Sequence, residues 1–179
     1  MTLKQVKSKK CSYEFLFKHL YHLDCSMGEE LLEGIETLRH ILKYNSYAEL
    51  SALFKVGKAD GLYGEEESSK NEEQTIFSPE KLLYFAWAGC EGALVDINKN
   101  LNSQDGEILF ITAISLAHLN QEKGFTLLNA LCANKAHVIM NEDDIYLLLQ
   151  DYIHYVQHPK AREIEGKYLT NHPNNLFLQ

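Results

Sequence analysis

Three side chains near the end of the chain have the types and spacing that could bind a metal ion. Asp151, His154 and His158 are separated by three and four residues, so on a helix they would share one face. His19 and His22 form a similar, smaller set. Such spacings also arise by chance in a chain with eight histidines. The pattern therefore permits a metal without requiring one, and we predict no metal ligand and no cofactor.

The cysteines could in principle supply a catalytic thiol, but their placement does not favour one. They are scattered, and none belongs to a CxxC pair: Cys11, Cys25, Cys90 and Cys132. Cys90 and Cys132 lie in apolar stretches, so we expect them to be buried and unreactive. The phosphate-binding pattern GxGxxG and the hydrolase patterns GxSxG and HExxH are absent. We predict no catalytic residue and no enzyme activity.

Carboxylates are the most prominent polar groups, and they come in clusters. One cluster lies in the aperiodic segment 58–76 beside an aromatic side chain, a second follows one face of a helix, and a third begins another helix. Carboxylates on exposed helices are often only solvated, and the segment 58–76 could be a disordered excursion. It could also be a flexible arm that meets a basic partner. The candidate partner contacts are Tyr63, Glu65, Glu66, Glu67, Glu72, Glu73, Glu29, Glu33, Glu36, Asp143 and Asp144.

The charge distribution restricts the class of partner. The chain of 179 residues carries a net charge of −8, with +4 in residues 1–23, −8 in 24–80 and −4 in 81–179. Only Arg39 and Arg162 offer guanidinium groups for phosphate. An acidic surface repels nucleic acid, whereas it speeds encounter with a basic protein. We therefore predict a basic protein partner and no nucleic acid; the oligomeric state stays open.

Hydrophobic periodicity predicts an all-α protein, with about six to eight helices in a single-domain bundle over residues 1–179. Alternating strand patterns are scarce. The predicted helices cover about 13–23, 28–44, 46–56, 78–101, 103–119, 125–136 and 141–157. Residues 1–12 are expected to be frayed, 58–76 to form a long acidic loop, and 160–179 to be a polar C-terminal segment. No apolar run approaches the ~20 residues that a membrane span needs.

Several local signals set the expected limits of these helices. Ser78 followed by Pro79 is a strong helix start, and Ser103 is the expected cap of the next helix. Gly57 is expected to end the helix that begins at residue 46. In the helix over 28–44, the predicted core face comprises Leu31, Leu32, Ile35, Leu38 and Leu42. The lysine-rich start is not followed by an apolar stretch, so we expect no signal peptide and a cytoplasmic location.

The size, acidity and helical make-up of the chain resemble the immunity proteins of bacterial contact-dependent growth inhibition and related polymorphic toxin systems. The acidic runs that contribute to this resemblance are Glu65–Glu67, Glu72–Glu73 and Glu142–Asp144. The resemblance implies a cytosolic protein that binds and neutralises one cognate toxin domain, and the toxin expected from it is a nuclease whose basic groove the protein covers. The alternative is a helical adaptor, regulatory subunit or secretion chaperone that binds its protein partner through an apolar groove.

Overall fold

The computed structural model describes Leu16 and residues 18–20, 29–59, 76–132 and 162. For residues 29–31, 58–59 and 132 it describes the backbone alone. All regular structure in these ranges is helical, with no strand among them, which confirms the all-α prediction. The chain divides into two compact units, Met1–Asp96 and Ile97–Gln179. A single domain stays a prediction, and each unit is described by itself.

Within its described residues, the first unit contains three longer helices: α1 (Glu29–Leu42), α2 (Tyr47–Ala59) and α3 (Pro79–Trp87). A 3-10 helix (Glu91–Ala93) and the short α4 (Leu94–Ile97) follow, and the unit boundary falls within α4. Ahead of α1, Leu16 and residues 18–20 are helical, as predicted for 13–23. Leu16 and Leu20 are buried, as their helical spacing indicated.

The core of the first unit is built around an aromatic cluster. Its four rings come from α2, from the residues before α3 and from α3 itself: Tyr47, Phe54, Phe77 and Phe85. Phe77 lies 4.9 Å from Phe54 and 4.9 Å from Phe85 between ring centroids, so it joins the two helices. Rings at these separations add favourable electrostatic contact to the burial of their apolar area.

The starts of α2 and α3 are fixed by local caps. Ser46 and Glu49 form a capping box, in which the Glu49 N–H donates to Ser46 Oγ at 3.2 Å and the Ser46 N–H donates to Glu49 Oε2 at 2.7 Å. Ser78 accepts from the Lys81 N–H at 3.3 Å, with Pro79 in the first turn, as predicted. At its other end α2 continues to Ala59, into the first two positions of segment 58–76.

Gly57 therefore lies inside α2 and does not end it, contrary to prediction. It is buried. A single glycine costs a helix only about 1 kcal/mol, which packing readily exceeds.

The helix predicted for 78–101 is in fact interrupted after Trp87. Gly89 takes a positive φ of 80°, the Gly89 N–H donates to Ala86 O at 2.8 Å, and the Cys90 N–H donates to Phe85 O at 2.9 Å. These two bonds form a Schellman motif, which satisfies the last carbonyls of α3 and turns the chain away. The rest of the predicted helix is divided into short helical pieces.

The second unit begins with a 3-10 helix (Asn98–Asn102), followed by α5 (Gly106–His118) and α6 (Glu122–Cys132). The cap of α5 is Asp105 and not Ser103: Asp105 Oδ1 accepts from the Glu107 N–H at 2.9 Å and the Ile108 N–H at 3.2 Å. Ser103 Oγ instead accepts from the Asp105 N–H at 3.1 Å, which orients the true cap. A carboxylate is a stronger acceptor and also complements the helix dipole.

The α5 helix is buried along most of its length, as its apolar sequence predicted. Two polar side chains inside this stretch satisfy their hydroxyl groups within the helix. Thr112 Oγ1 donates to Ile108 O at 2.7 Å, and Ser115 Oγ donates to Ile111 O at 2.8 Å. Among the described helices, none is both long enough and apolar enough to cross a membrane.

Candidate functional site

One face of α1 presents charged and apolar side chains to solvent. Leu32, Glu33, Glu36 and Arg39 are all exposed on it, and Lys43 is exposed in the turn that follows. From Glu33 to Lys43 these residues follow one another at three or four positions, which places them on neighbouring turns of one surface, and Leu32 adjoins Glu33 in sequence. We call this set the α1 face. Leu32 was predicted to belong to the core, yet 42% of its surface is exposed.

Arg39 of the α1 face is held by one contact with α3 and one within α1. Arg39 Nη2 donates to Trp87 O at 2.9 Å, which ties the guanidinium to the end of α3. Arg39 Nη1 also forms an ion pair with Glu36 Oε1, one turn earlier on α1. The Trp87 carbonyl therefore fixes the guanidinium, and the guanidinium in turn restricts Glu36.

The predicted partner contacts are only partly within the described residues. Glu33 and Glu36 are exposed, as the prediction of a charged helix face requires. Glu29 is the first residue of α1, and the structure describes only its backbone. The possible metal set of Asp151, His154 and His158 falls outside the described residues. So do the remaining candidate partner contacts, which are Tyr63, Glu65, Glu66, Glu67, Glu72, Glu73, Asp143 and Asp144.

A buried polar pair that the sequence reading missed connects α2 to α4. Tyr47 Oη donates to Asp96 Oδ2 at 2.6 Å, and both side chains are buried. Tyr47 also packs tightly on the 3-10 helix, because a Cβ placed on Gly92 would lie 2.9 Å from Tyr47 Cβ. The two partners are 49 residues apart, so no local pattern could have found the pair. Its role in the fold is to fix α4 against α2.

Tyr47 and the nearby Cys90 thiol are both held in their protonated forms. Burial raises the pKa of Tyr47 far above its ordinary value, and the Asp96 carboxylate, as acceptor and as negative charge, raises it further; Ser51 opposes this. Burial also raises the pKa of the Cys90 thiol, which outweighs the opposing hydrogen bonds from the Ala93 and Gly92 backbone. Cys90 is buried, as expected from its apolar surroundings. A buried thiol with a raised pKa is a poor nucleophile at neutral pH.

This arrangement predicts that Tyr47 makes the fold less stable in alkali. Above a pH of about 10 the unfolded chain releases the tyrosine proton while the folded chain keeps it, so stability falls as pH rises. The loss attributable to this residue is about 1.4 kcal/mol per pH unit. Urea unfolding of wild type and Tyr47→Phe, measured from mildly alkaline pH upward, should show the steeper decline in wild type. Parallel declines would contradict the assignment, because Cys90 is common to both proteins.

Metal ligands are not assembled within the described ranges, where no three His, Cys, Asp or Glu side chains come together. His19, one of the two N-terminal histidines considered above, is partly buried, and its partner in that set, His22, lies outside those ranges. Burial lowers the pKa of His19, while a hydrogen bond with the backbone of Gly34 acts in the opposite direction.

Comparisons with known proteins do not assign the chain to a family. No protein-family model, no curated protein and no solved structure matches it significantly. The α1 face, whose side chains are exposed, is therefore the surface on which the functional proposal rests.

Proposed function

We propose that this chain is an immunity protein, which binds and neutralises a cognate toxin domain in the bacterial cytoplasm, and that the toxin is a nuclease. The observation that carries the proposal is the exposure of Glu33 and Glu36 beside Leu32 on α1, in a chain with a net charge of −8. Such a surface combines carboxylates with an apolar side chain on a firm helical element. A protein interface needs both kinds of contact.

The chemistry of a nuclease makes it a suitable partner for this surface. A groove that holds the phosphate backbone must be lined by basic side chains. Carboxylates that enter the groove neutralise it and exclude the substrate, and the opposite fields also speed encounter between the two proteins. Leu32 would supply the apolar contact from which water is excluded.

The predicted acidic arm adds to this proposal from outside the described residues. Its carboxylates, Glu65–Glu67 and Glu72–Glu73, together with Asp143 and Asp144, would enlarge the negative surface offered to the toxin. Replacing the glutamates of the arm by alanine tests this part separately. If toxin binding and protection then remain unchanged, the arm is not in the interface.

For the α1 face, the double variant Glu33→Gln/Glu36→Gln should bind the toxin about tenfold more weakly, chiefly through slower association. The glutamines keep the shape of the side chains and remove their charge, which at position 36 also removes the ion pair with Arg39. The experiment uses purified chain and the candidate toxin domain encoded beside it, with association rates measured at several salt concentrations. Wild-type binding should weaken as salt rises, because exposed charges are screened.

A matched control separates the position of the charges from their number. Glu91→Gln/Glu122→Gln removes the same charge from two exposed positions elsewhere, and it should leave the affinity nearly unchanged. Equal losses in both double variants would show that only the overall charge matters. Binding that is insensitive to salt would indicate the apolar groove of an adaptor, and a chain that neither binds nor protects against the toxin would refute the proposal.

A further inference from the structure

The α1 face carries both signs of charge in an ordered sequence. Its acids, Glu33 and Glu36, precede its bases, Arg39 and Lys43, along the chain. Large apolar side chains lie near both ends of this charge series: Leu32 is 42% exposed, and Tyr44, in the turn after α1, is 59% exposed. The surface is therefore negative at one end and positive at the other, with apolar area at each end.

The positions of these residues are symmetric about the middle of α1. Glu33 and Lys43 each lie five residues from Leu38, and Leu32 and Tyr44 each lie six residues from it. Each helical residue advances the axis by about 1.5 Å. Lys43 and Tyr44 lie in the turn that continues α1, where their N–H groups donate to His40 O at 3.2 Å and Ile41 O at 3.0 Å, so equal separations in sequence are similar distances along the axis. Consider a half-turn about an axis that is perpendicular to α1 and passes at the level of Leu38. This rotation would bring Glu33 to the level of Lys43, and Leu32 to the level of Tyr44.

We infer that the α1 face pairs with the same face of a second copy of this chain, with the two helices antiparallel. In that arrangement Glu33 lies at the level of Lys43 of the second copy, and Leu32 at the level of its Tyr44. Every such contact occurs twice, as a two-fold interface requires. A parallel arrangement would instead set acids against acids and bases against bases, which destabilises the pair.

The side chains in the middle of the face are compatible with this arrangement. Arg39 is held by Trp87 O and by Glu36, so its guanidinium is fixed before any partner arrives. The ring of His40 lies 5.3 Å from that of Tyr44, which restricts the tyrosine at the end of the face. Side chains that are already ordered lose less conformational entropy on association.

One helix pair is a small interface, so the dimer should be weak and populated only at high protein concentration. This inference does not rest on the proposed function, because the association is measured with the chain alone. Sedimentation velocity of the wild-type chain over about a hundredfold range of concentration should show a monomer that becomes a dimer by mass action. The dimer should weaken as salt rises, since its ion pairs are exposed.

Charge-swapped variants test the pairing itself. Glu33→Lys makes both paired positions basic, and Lys43→Glu makes both acidic, so each variant alone should dimerise at least about tenfold more weakly than wild type. A mixture of the two should form a one-to-one heterodimer, because every Lys then faces a Glu. This recovery also shows that both variants are folded. Lys55→Glu, at an exposed position of α2, is the matched control and should dimerise like wild type.

The outcomes separate this face from other modes of association. A wild-type chain that stays monomeric over the whole concentration range would overturn the inference. So would a dimer that persists in Glu33→Lys, because a different surface would then be responsible. A wild-type dimer that is insensitive to salt, or a mixture no more associated than its components, would overturn the charge pairing in particular.

Discussion

Replacing Phe85 by alanine should lower the free energy of unfolding of the first unit by about 4 kcal/mol, as complete removal of a buried aromatic ring does. Phe85 is 0% exposed. Its ring lies 5.1 Å from Tyr47 in an edge-on arrangement and 4.9 Å from Phe77. The variant therefore loses apolar burial and two aromatic contacts, and it leaves a cavity between α2 and α3. Trp87, the only tryptophan, reports urea unfolding of this unit by its fluorescence.

The control is Phe85→Leu, which keeps most of the apolar volume and should lose less than about 1.5 kcal/mol. A much larger loss of stability in Phe85→Ala than in Phe85→Leu would show that the apolar volume at this position is what stabilises the unit. Equal, small losses would mean that the cluster does not hold the first unit together. A loss in Phe85→Leu as large as that in Phe85→Ala would instead indicate that ring geometry dominates over volume.

The start of α3 could be predicted because its cap is local. Ser78 followed by Pro79 indicates a helix start within two residues, and Ser78 is the cap of α3 in the structure. The break at Gly89 could not be predicted in the same way. Cys90, Leu94, Ile97 and Leu101 continue the helical spacing beyond it, and one glycine within a helix is only a weak signal, at about 1 kcal/mol. The positive φ of Gly89 is a feature of the turn that forms, which the periodicity does not encode.

The exposed side of α1 was predicted only in part. Glu33 and Glu36 are exposed as expected, but Leu32 is exposed where a core position was predicted, and Ile41 is buried although the predicted face omitted it. The apolar residues of α1 cover a wider arc than the first unit buries. Which edge of that arc is covered depends on the neighbouring elements, so tertiary packing overrides the helical pattern.

The pair of Tyr47 and Asp96 shows a second limit of sequence reading. An aspartate in an apolar stretch is compatible with exposure, and only its distant tyrosine explains why this one is buried. The same reasoning applies to the close approach of α5 and α6. Gly124 has no local signature that separates it from the other glycines, yet it lies directly against the backbone of α5 at Leu116.

Replacing Gly124 by alanine should therefore destabilise the second unit, by about 2 kcal/mol. A Cβ at this position would lie 2.6 Å from Leu116 Cβ and 2.7 Å from the Leu116 carbonyl carbon, and it would also meet the backbone nitrogen of Ala117. Backbone atoms of a buried helix cannot move aside as a flexible side chain can, so α5 and α6 must separate. Overpacking of this kind costs about 1–3 kcal/mol or more, partly offset by the roughly 1 kcal/mol that alanine adds to helix propensity.

Amide hydrogen exchange in α5 and α6 measures this loss within the second unit, because the tryptophan signal belongs to the first. Thr126→Ala, at an exposed position of α6, is the control and should change stability by less than about 0.5 kcal/mol. The sign of the Gly124→Ala effect decides between two physical accounts. If helix propensity alone governed this position, the alanine would slow exchange throughout α6. Faster exchange in both helices is expected when contact between their backbones is the controlling factor.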